Sequence, residues 1–466
     1  MAGRGARLSS LLLAALLPAA LLPAACAAPP PPGPALPPDL ARAPLPPMHR
    51  FGPVDPEAPR RANADMARDF LDLAFRLEGG QTLPVLTRFD APIRIAVTGA
   101  RPPVADHDLA LLLARLRHEA RLDVALAAPG APANLTVVYL PQATLRAQTP
   151  GAACFVAPNV AGWAEYRQRA AAPATDWTRL TRRGRMGVFL PGDAAPQEIR
   201  DCLNEELAQA VGPVNDLYRL PDSVFNDDNI RGVLTGFDML MLRVYTDPAL
   251  QNGMTRDAVA ARLPAILRRL NPAGERPGTP PLPPDTPEWR AAIARALGPR
   301  GSLASRRAAA RVAVSEARAQ GWTDARAAFG WTALARLSLP DDGATALAGF
   351  VMADRLYARL PATGPHRALI AEQMAAFALS TRQATAALDI TAAALPAATR
   401  AQNAALMAGL MMIRARALAM EGSDQTARAQ ALWLDSLGWA RYGFGSDAHV
   451  RAAEAAVLAL DGAGKD

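Results

Sequence analysis

The stretch with the most chemical content is Glu205-Glu206-Leu207-Ala208-Gln209-Ala210-Val211-Gly212-Pro213-Val214-Asn215-Asp216. Glu205 and Gln209 are one helical turn apart, so a helix puts them on one face, with Cys202, Glu206 and Gln209 in an overlapping row. A carboxylate such as Glu206 is a general base when it can reach the proton it abstracts. Glu205, Asn215 and Asp216 offer oxygen to a hard cation. Gly212 ends the helix, and the turn after it delivers Asn215 and Asp216. The bland reading is the solvent face of an amphipathic helix whose Ile199, Leu203, Leu207 and Ala210 face the core.

The spacing resembles the H-E-x-x-H-x-x-G-x-x-[HD] signature of the zincin metalloproteases, in which two imidazoles one turn apart hold the metal and a glutamate acts as base. Glu205 stands at the first histidine position, Glu206 at the base, Gln209 at the second histidine, Gly212 at the turn and Asn215 at the third ligand. The base and the turn are kept and the imidazoles are not. Zinc favours nitrogen and sulfur donors, and a neutral amide replaces imidazole poorly. The expectation is therefore no metal and no cofactor. Glu205, Glu206, Gln209, Asn215 and Asp216 would line a cleft beside a strand at 185–190 that holds a peptide or an envelope protein without cutting it. The alternative is an unusual hydrolase with Glu206 as base and Glu205, Asn215 or Asp216 holding an oxygen-loving ion. No G-x-S-x-G is present, and His49, His107, His118, His366 and His449 have no ligand spacing, so they read as surface or core residues.

Elements to position this helix are legible around it. Residues 61–76 read as a helix with Met66, Phe70, Leu71 and Phe75 in phase. Strands follow at 92–98, 123–127, 134–140 and 185–190, a helix at 106–120, and an irregular segment at 141–182. Asp193 can cap the signature helix over 197–211. The turn at 222–229 is rich in Asn and Asp, which are either hard oxygen ligands or residues bonding their own backbone. Helices at 234–244 and 255–270 complete this part. After a Pro/Gly-rich linker at 271–287 the chain is helical by period, broken near Gly321, 340–343, 361–365, Pro396, Gly422 and 443–446. These helix pairs resemble a tetratricopeptide-like solenoid without its consensus. The expected fold is an α+β zincin-like domain over 61–270 followed by an all-α helical repeat or bundle domain over 288–462.

A chain of 466 residues, half of them hydrophobic, exceeds one ordinary core. Its net charge of +7 is carried by arginine, because Lys465 is the only lysine. Acids alternate with the arginines and no basic block interleaves with aromatics, which argues against nucleic acid. Arg4 and Arg7 precede an apolar run ending in Ala24-Ala25-Cys26, so residues 1–27 read as an export signal and 28–60 as a Pro-rich tether. Two fates are open: lipid on Cys26, or cleavage after Ala27. Either sends the chain to the periplasm or to an outer-membrane anchor, with membrane contact only through Cys26. Export leaves Cys154 and Cys202 as an even pair in an oxidising compartment, and a structural disulfide is expected.

Beyond the zincin spacing, the run CLNEELAQAVGPVNDLYRLPDSVFNDDN, with ACFVAP upstream and YTDPALQNGM downstream, resembles a proteobacterial family of proposed secreted lipoproteins known only as a domain of unknown function. The resemblance spans about residues 62–272. It implies export and a zincin-like core, and it brings no activity or substrate.

Overall fold

The computed structural model describes residues 44–55 and 57–460. The expectations for the export signal and for Cys26 fall outside them. Two compact units are present: residues 55–194 with 198–284, and residues 44–54 and 195–197 with 285–460.

The first unit is α/β. In chain order it contains α1 (Asn63–Ala74), β1 (Ile93–Thr98), α2 (Pro103–His118), β2 (Val124–Leu126) and β3 (Leu135–Leu140). Next come α3 (Gln142–Gln148), β4 (Phe155–Pro158), α4 (Trp163–Arg169), β5 (Met186–Pro191) and α5 (Pro196–Val211). The last helices are α6 (Gly236–Tyr245), α7 (Arg256–Ala260) and α8 (Leu263–Leu270). The five strands form one sheet in the order β2-β1-β3-β5-β4. All neighbours are parallel except β4, which runs antiparallel to β5 at the edge. β3 (LTVVYL) and β5 (MGVFLP) are near-continuous apolar runs, as strands covered on both faces must be. One face carries Leu135, Val137, Met186, Val188 and Leu190 into the main core with α1, α2, α5, α6 and α8. The other carries Val138, Ala157 and Phe189 into a smaller cluster with Leu145, closed by Trp163 and Tyr166.

Three expectations are corrected here. Residues 141–182 are not irregular: they supply α3, β4 and α4. The strand at 185–190, beside which the cleft was expected, is paired on both sides, with β3 and with β4. The helix expected at 255–270 is broken between α7 and α8, where Pro264 occupies the first turn of α8 and is tolerated there.

The second unit is helical. It holds α9 (Pro287–Leu297), α10 (Leu303–Ala319), α11 (Ala325–Ser338), α12 (Gly343–Tyr357), α13 (Gly364–Ser380), α14 (Ala384–Arg400), α15 (Ala404–Glu421), α16 (Thr426–Phe444) and α17 (Asp447–Ala459). Most helices pack on the next in sequence, and α13, α15 and α17 also pack on one another in turn. Alanine makes this close: Ala328, Ala335, Ala353, Ala408 and Ala415 are fully buried. Pro396 does not break the chain as expected, since α14 runs through it. A proline inside a helix costs about 3 kcal/mol, and burial of Ala387, Thr391, Ala394 and Ala398 offsets it.

Residues 44–54 are also not the unpacked tether that their prolines suggest. Phe51 packs tilted against Trp439 and meets Tyr442 edge-on, at 4.6 and 5.3 Å between ring centroids. The His49 N–H donates to the Gly438 carbonyl at 3.1 Å, and the His49 ring lies 2.9 Å from Asp435. Gly438 is required here, because a Cβ would sit 2.4 Å from the imidazole. Arg441 donates to the Pro46 carbonyl at 2.9 Å.

Candidate functional site

The signature residues form α5, but the helix has no solvent face. Ile199, Leu203, Leu207 and Ala210 are in the core, as their spacing implies. Asn204, Glu206 and Gln209 on the other side are buried too, with Glu206 and Gln209 at 0% exposure. Of the five residues expected to line a cleft, Glu205 alone keeps partial exposure. Burial of this polar row overturns the bland reading of a solvated face.

Several of these buried groups tie the helix end to its neighbours. The Gln209 side-chain amide donates to the Asp216 carboxylate at 2.9 Å. The Asn215 amide donates to the Asp72 carbonyl at 2.9 Å, and the N–H groups of Val214 and Asn215 both reach the Leu73 carbonyl at 3.3 Å. The turn after α5 is thus stitched to the end of α1. Gly212 permits it by close approach: a Cβ there would stand 2.3 Å from a Leu242 methyl of α6.

Arg183 fixes the same helix end, and nothing in the spacing announces it. The residue is 1% exposed, and its guanidinium donates to the carbonyls of Gln209 and Ala210 at 2.8 and 2.9 Å. It also donates to the Tyr245 hydroxyl at 3.0 Å and lies over the Trp177 and Tyr245 rings. The last carbonyls of a helix lack intrahelical donors and carry partial negative charge, so a cation there is doubly favoured. Burial holds the Arg183 pKa below its usual value.

Cys154 and Cys202 form the expected disulfide, with 5.9 Å between Cα atoms. It joins the residue before β4 to the first half of α5. The Glu205 and Glu206 carboxylates come within 4.8 Å of the Cys154 sulfur and of each other. As a disulfide, that sulfur is no thiolate ligand.

The turn at 222–229 mostly bonds itself. The Asn226 amide donates to the Leu220 carbonyl and to Asp228 at 2.9 Å each, and Asp228 accepts the Ile230 N–H at 3.0 Å. Asp238 holds the turn from α6, accepting from the Ser223 hydroxyl, the Val224 N–H at 3.2 Å and the Thr235 N–H at 2.7 Å. Burial pushes its carboxyl up to about 6. Asp222 is paired with Arg61, which also reaches Asp69. Asp227 differs: with Asp216 and Glu78 it forms a second group whose carboxylate oxygens lie within 4.8 Å of one another. Sequence reasoning singled out two of these three and missed Glu78, which lies far upstream. Neither such group among the described residues contains a histidine.

β4 borders the disulfide. The Asn159 N–H donates to the Arg185 carbonyl at 2.8 Å, so in the antiparallel register Ala157 and Phe155 also point their backbone groups at β5. Val156 then turns its N–H and carbonyl away from β5. Among the described residues no further strand pairs with that side.

Residues 63–265 match the model of a family described as "Protein of unknown function (DUF2927)". The matched stretch runs from α1 into α8, and the helical unit lies outside it. No curated protein and no solved structure matches the chain.

Proposed function

We propose that this is an exported cell-envelope protein, periplasmic or anchored to the outer membrane through Cys26. Its α/β unit would be a zincin-like module that has lost catalysis. It would hold an extended peptide, or a strand of an envelope protein, along the open edge of β4 beside α5. The helical unit would offer a second partner surface. One observation carries the reading: Glu206 and Gln209 are buried, with Gln209 bonded to Asp216, while among the described residues no further strand pairs with the outer side of β4. An added strand gains main-chain hydrogen bonds from such an edge. The Cys154–Cys202 bridge supports an oxidising compartment.

Val156→Pro tests it. Proline is tolerated on an edge strand where the N–H faces outward. The variant should fold and should lose capture of extended peptides, measured by fluorescence anisotropy. Full binding by a folded Val156→Pro protein would refute the use of this edge.

A second reading keeps Glu206 as the base of a hydrolase. It is favoured by the oxygen-rich group of Glu78, Asp216 and Asp227, whose chemistry suits a hard cation. Calorimetric titration with Ca²⁺ or Mn²⁺, followed by a peptide-cleavage assay, separates the two readings. Cation-dependent cleavage would favour the hydrolase.

A further inference from the structure

Residues 44–54 lie on the helical unit as a peptide lies on a receptor. Pro44, Pro46, Pro47 and Pro53 belong to the segment, which forms no helix or strand, and Phe51 is its one buried residue. It is held largely through its main chain. Arg441 of α16 donates to the Pro46 carbonyl at 2.9 Å. Gln402, in the turn between α14 and α15, donates to the Gly52 carbonyl at 3.2 Å and to that of Pro53 at 3.4 Å. The Gly438 carbonyl accepts the His49 N–H at 3.1 Å. Side chains add two positions. Phe51 packs on Trp439 and Tyr442, and the His49 ring lies 5.0 Å from that of Trp439 and 2.9 Å from the exposed Asp435. Proline-rich segments dock on aromatic grooves in this way, because their limited freedom lowers the entropy lost on binding. A core element of the same unit is built otherwise: α15 is buried over nearly its whole length.

We propose that α16 and the α14–α15 turn form a recognition site for proline-rich extended segments of a partner protein, and that residues 44–54 close it in cis as a displaceable strap. One buried anchor and a few main-chain bonds make a weak contact, and covalent attachment keeps the site filled through effective concentration. The strap defines the ligand. It is a proline pair, then a residue able to pair with Asp435, then an aromatic ring two positions on. Residue 55 already belongs to the α/β unit, so a second copy could deliver its segment only with that unit attached. A segment of another protein carries no such load. This deepens one part of the reading above, the second partner surface of the helical unit, and makes no use of the β4 edge.

The test uses the full chain and a fluorescein-labelled peptide of residues 44–54, read by anisotropy. Phe51→Ala in the chain removes the anchor of the strap and should raise affinity for the peptide about tenfold over the parent, whose own strap competes. Adding Trp439→Ala to that chain should abolish the binding, as should alanine in place of Phe51 in the peptide. Val156→Pro should leave it unchanged, which separates this site from the β4 edge. If Phe51→Ala fails to fold, His49→Ala, which removes a half-exposed ring, should give a smaller gain in the same direction. A folded Phe51→Ala chain that ignores the peptide would overturn the proposal and leave residues 44–54 as a fixed part of the unit. Equal binding by the parent and by Phe51→Ala would put the peptide elsewhere and overturn it too. Concentration-dependent dimerisation of the parent, lost in Phe51→Ala, would put a second copy's segment in the site and overturn its assignment to a partner protein.

Discussion

The two units solve the problem of burial in opposite ways. The α/β unit buries polar groups and pairs them. Arg183 meets helix-end carbonyls, Gln209 meets Asp216, Asn215 meets a carbonyl of α1, and Asp238 holds a loop through three donors. The helical unit closes its core chiefly with alanine, and buried charges such as Arg326 are paired locally with Asp324 and Asp285. Hydrogen bonds are directional and costly to leave unmade, so they fix where a helix end or loop sits. Close alanine packing fixes the distance between helices and is sensitive to added volume. The first scheme fixes the geometry around α5 residue by residue. The second builds a stacked surface with little local specification.

The largest effect should come from the disulfide. It closes a loop with a sequence separation of 48, and its removal by Cys154→Ser/Cys202→Ser should cost about 4 kcal/mol by the chain-entropy estimate. Urea unfolding of the α/β unit reads this. A loss near zero would mean that β4 is held by other contacts.

Arg183→Met should follow closely. It leaves two helix-end carbonyls and the Tyr245 hydroxyl without their donor, at roughly 3 kcal/mol or more. Arg183→Lys should recover little, because one ammonium cannot reproduce the fork. In the helical unit the corresponding break is overpacking. Ala415 is fully buried in α15, and Ala415→Leu should cost about 1–3 kcal/mol. If Arg183→Met were mild and Ala415→Leu severe, the contrast between the units would be reversed.

The smallest effect concerns Glu372 in α13. Burial pushes its carboxyl up to about 7, against the pull of Arg336. Gly409 makes room for it, since a Cβ there would lie inside contact distance of the carboxylate. The folded-state pKa is above the unfolded one. The contribution of Glu372 is therefore full at pH 4 and is lost as pH rises through 7. Stability measured from pH 5 to 8 should fall less steeply in Glu372→Gln than in the parent chain. Identical slopes would show that Glu372 titrates as an ordinary carboxyl.

Much of this was legible in the sequence where period and composition agree. β1, β3, β5, α2 and α5 fall within a few residues of their expected bounds, because apolar runs and a strong helical phase fix them. β4 was not legible. Four residues with a terminal proline, Phe155–Pro158, do not show a period, and only pairing with β5 makes them a strand. The packing of 44–54 is hidden for the opposite reason: proline-rich composition implies no packing, and the aromatic anchor Phe51 against Trp439 is a long-range contact. At the site, the spacing from Glu205 to Asp216 found the right helix. It could not tell a lined cleft from a sealed one, because spacing sets which residues share a helix face, while the tertiary fold sets the full burial of Glu206 and Gln209.

Peptide turnover by the parent chain and by Glu206→Gln tests the central claim most directly. The account predicts no cleavage by either and unchanged peptide capture by the variant. Cleavage by the parent chain that vanishes in Glu206→Gln, with stability intact, would contradict it.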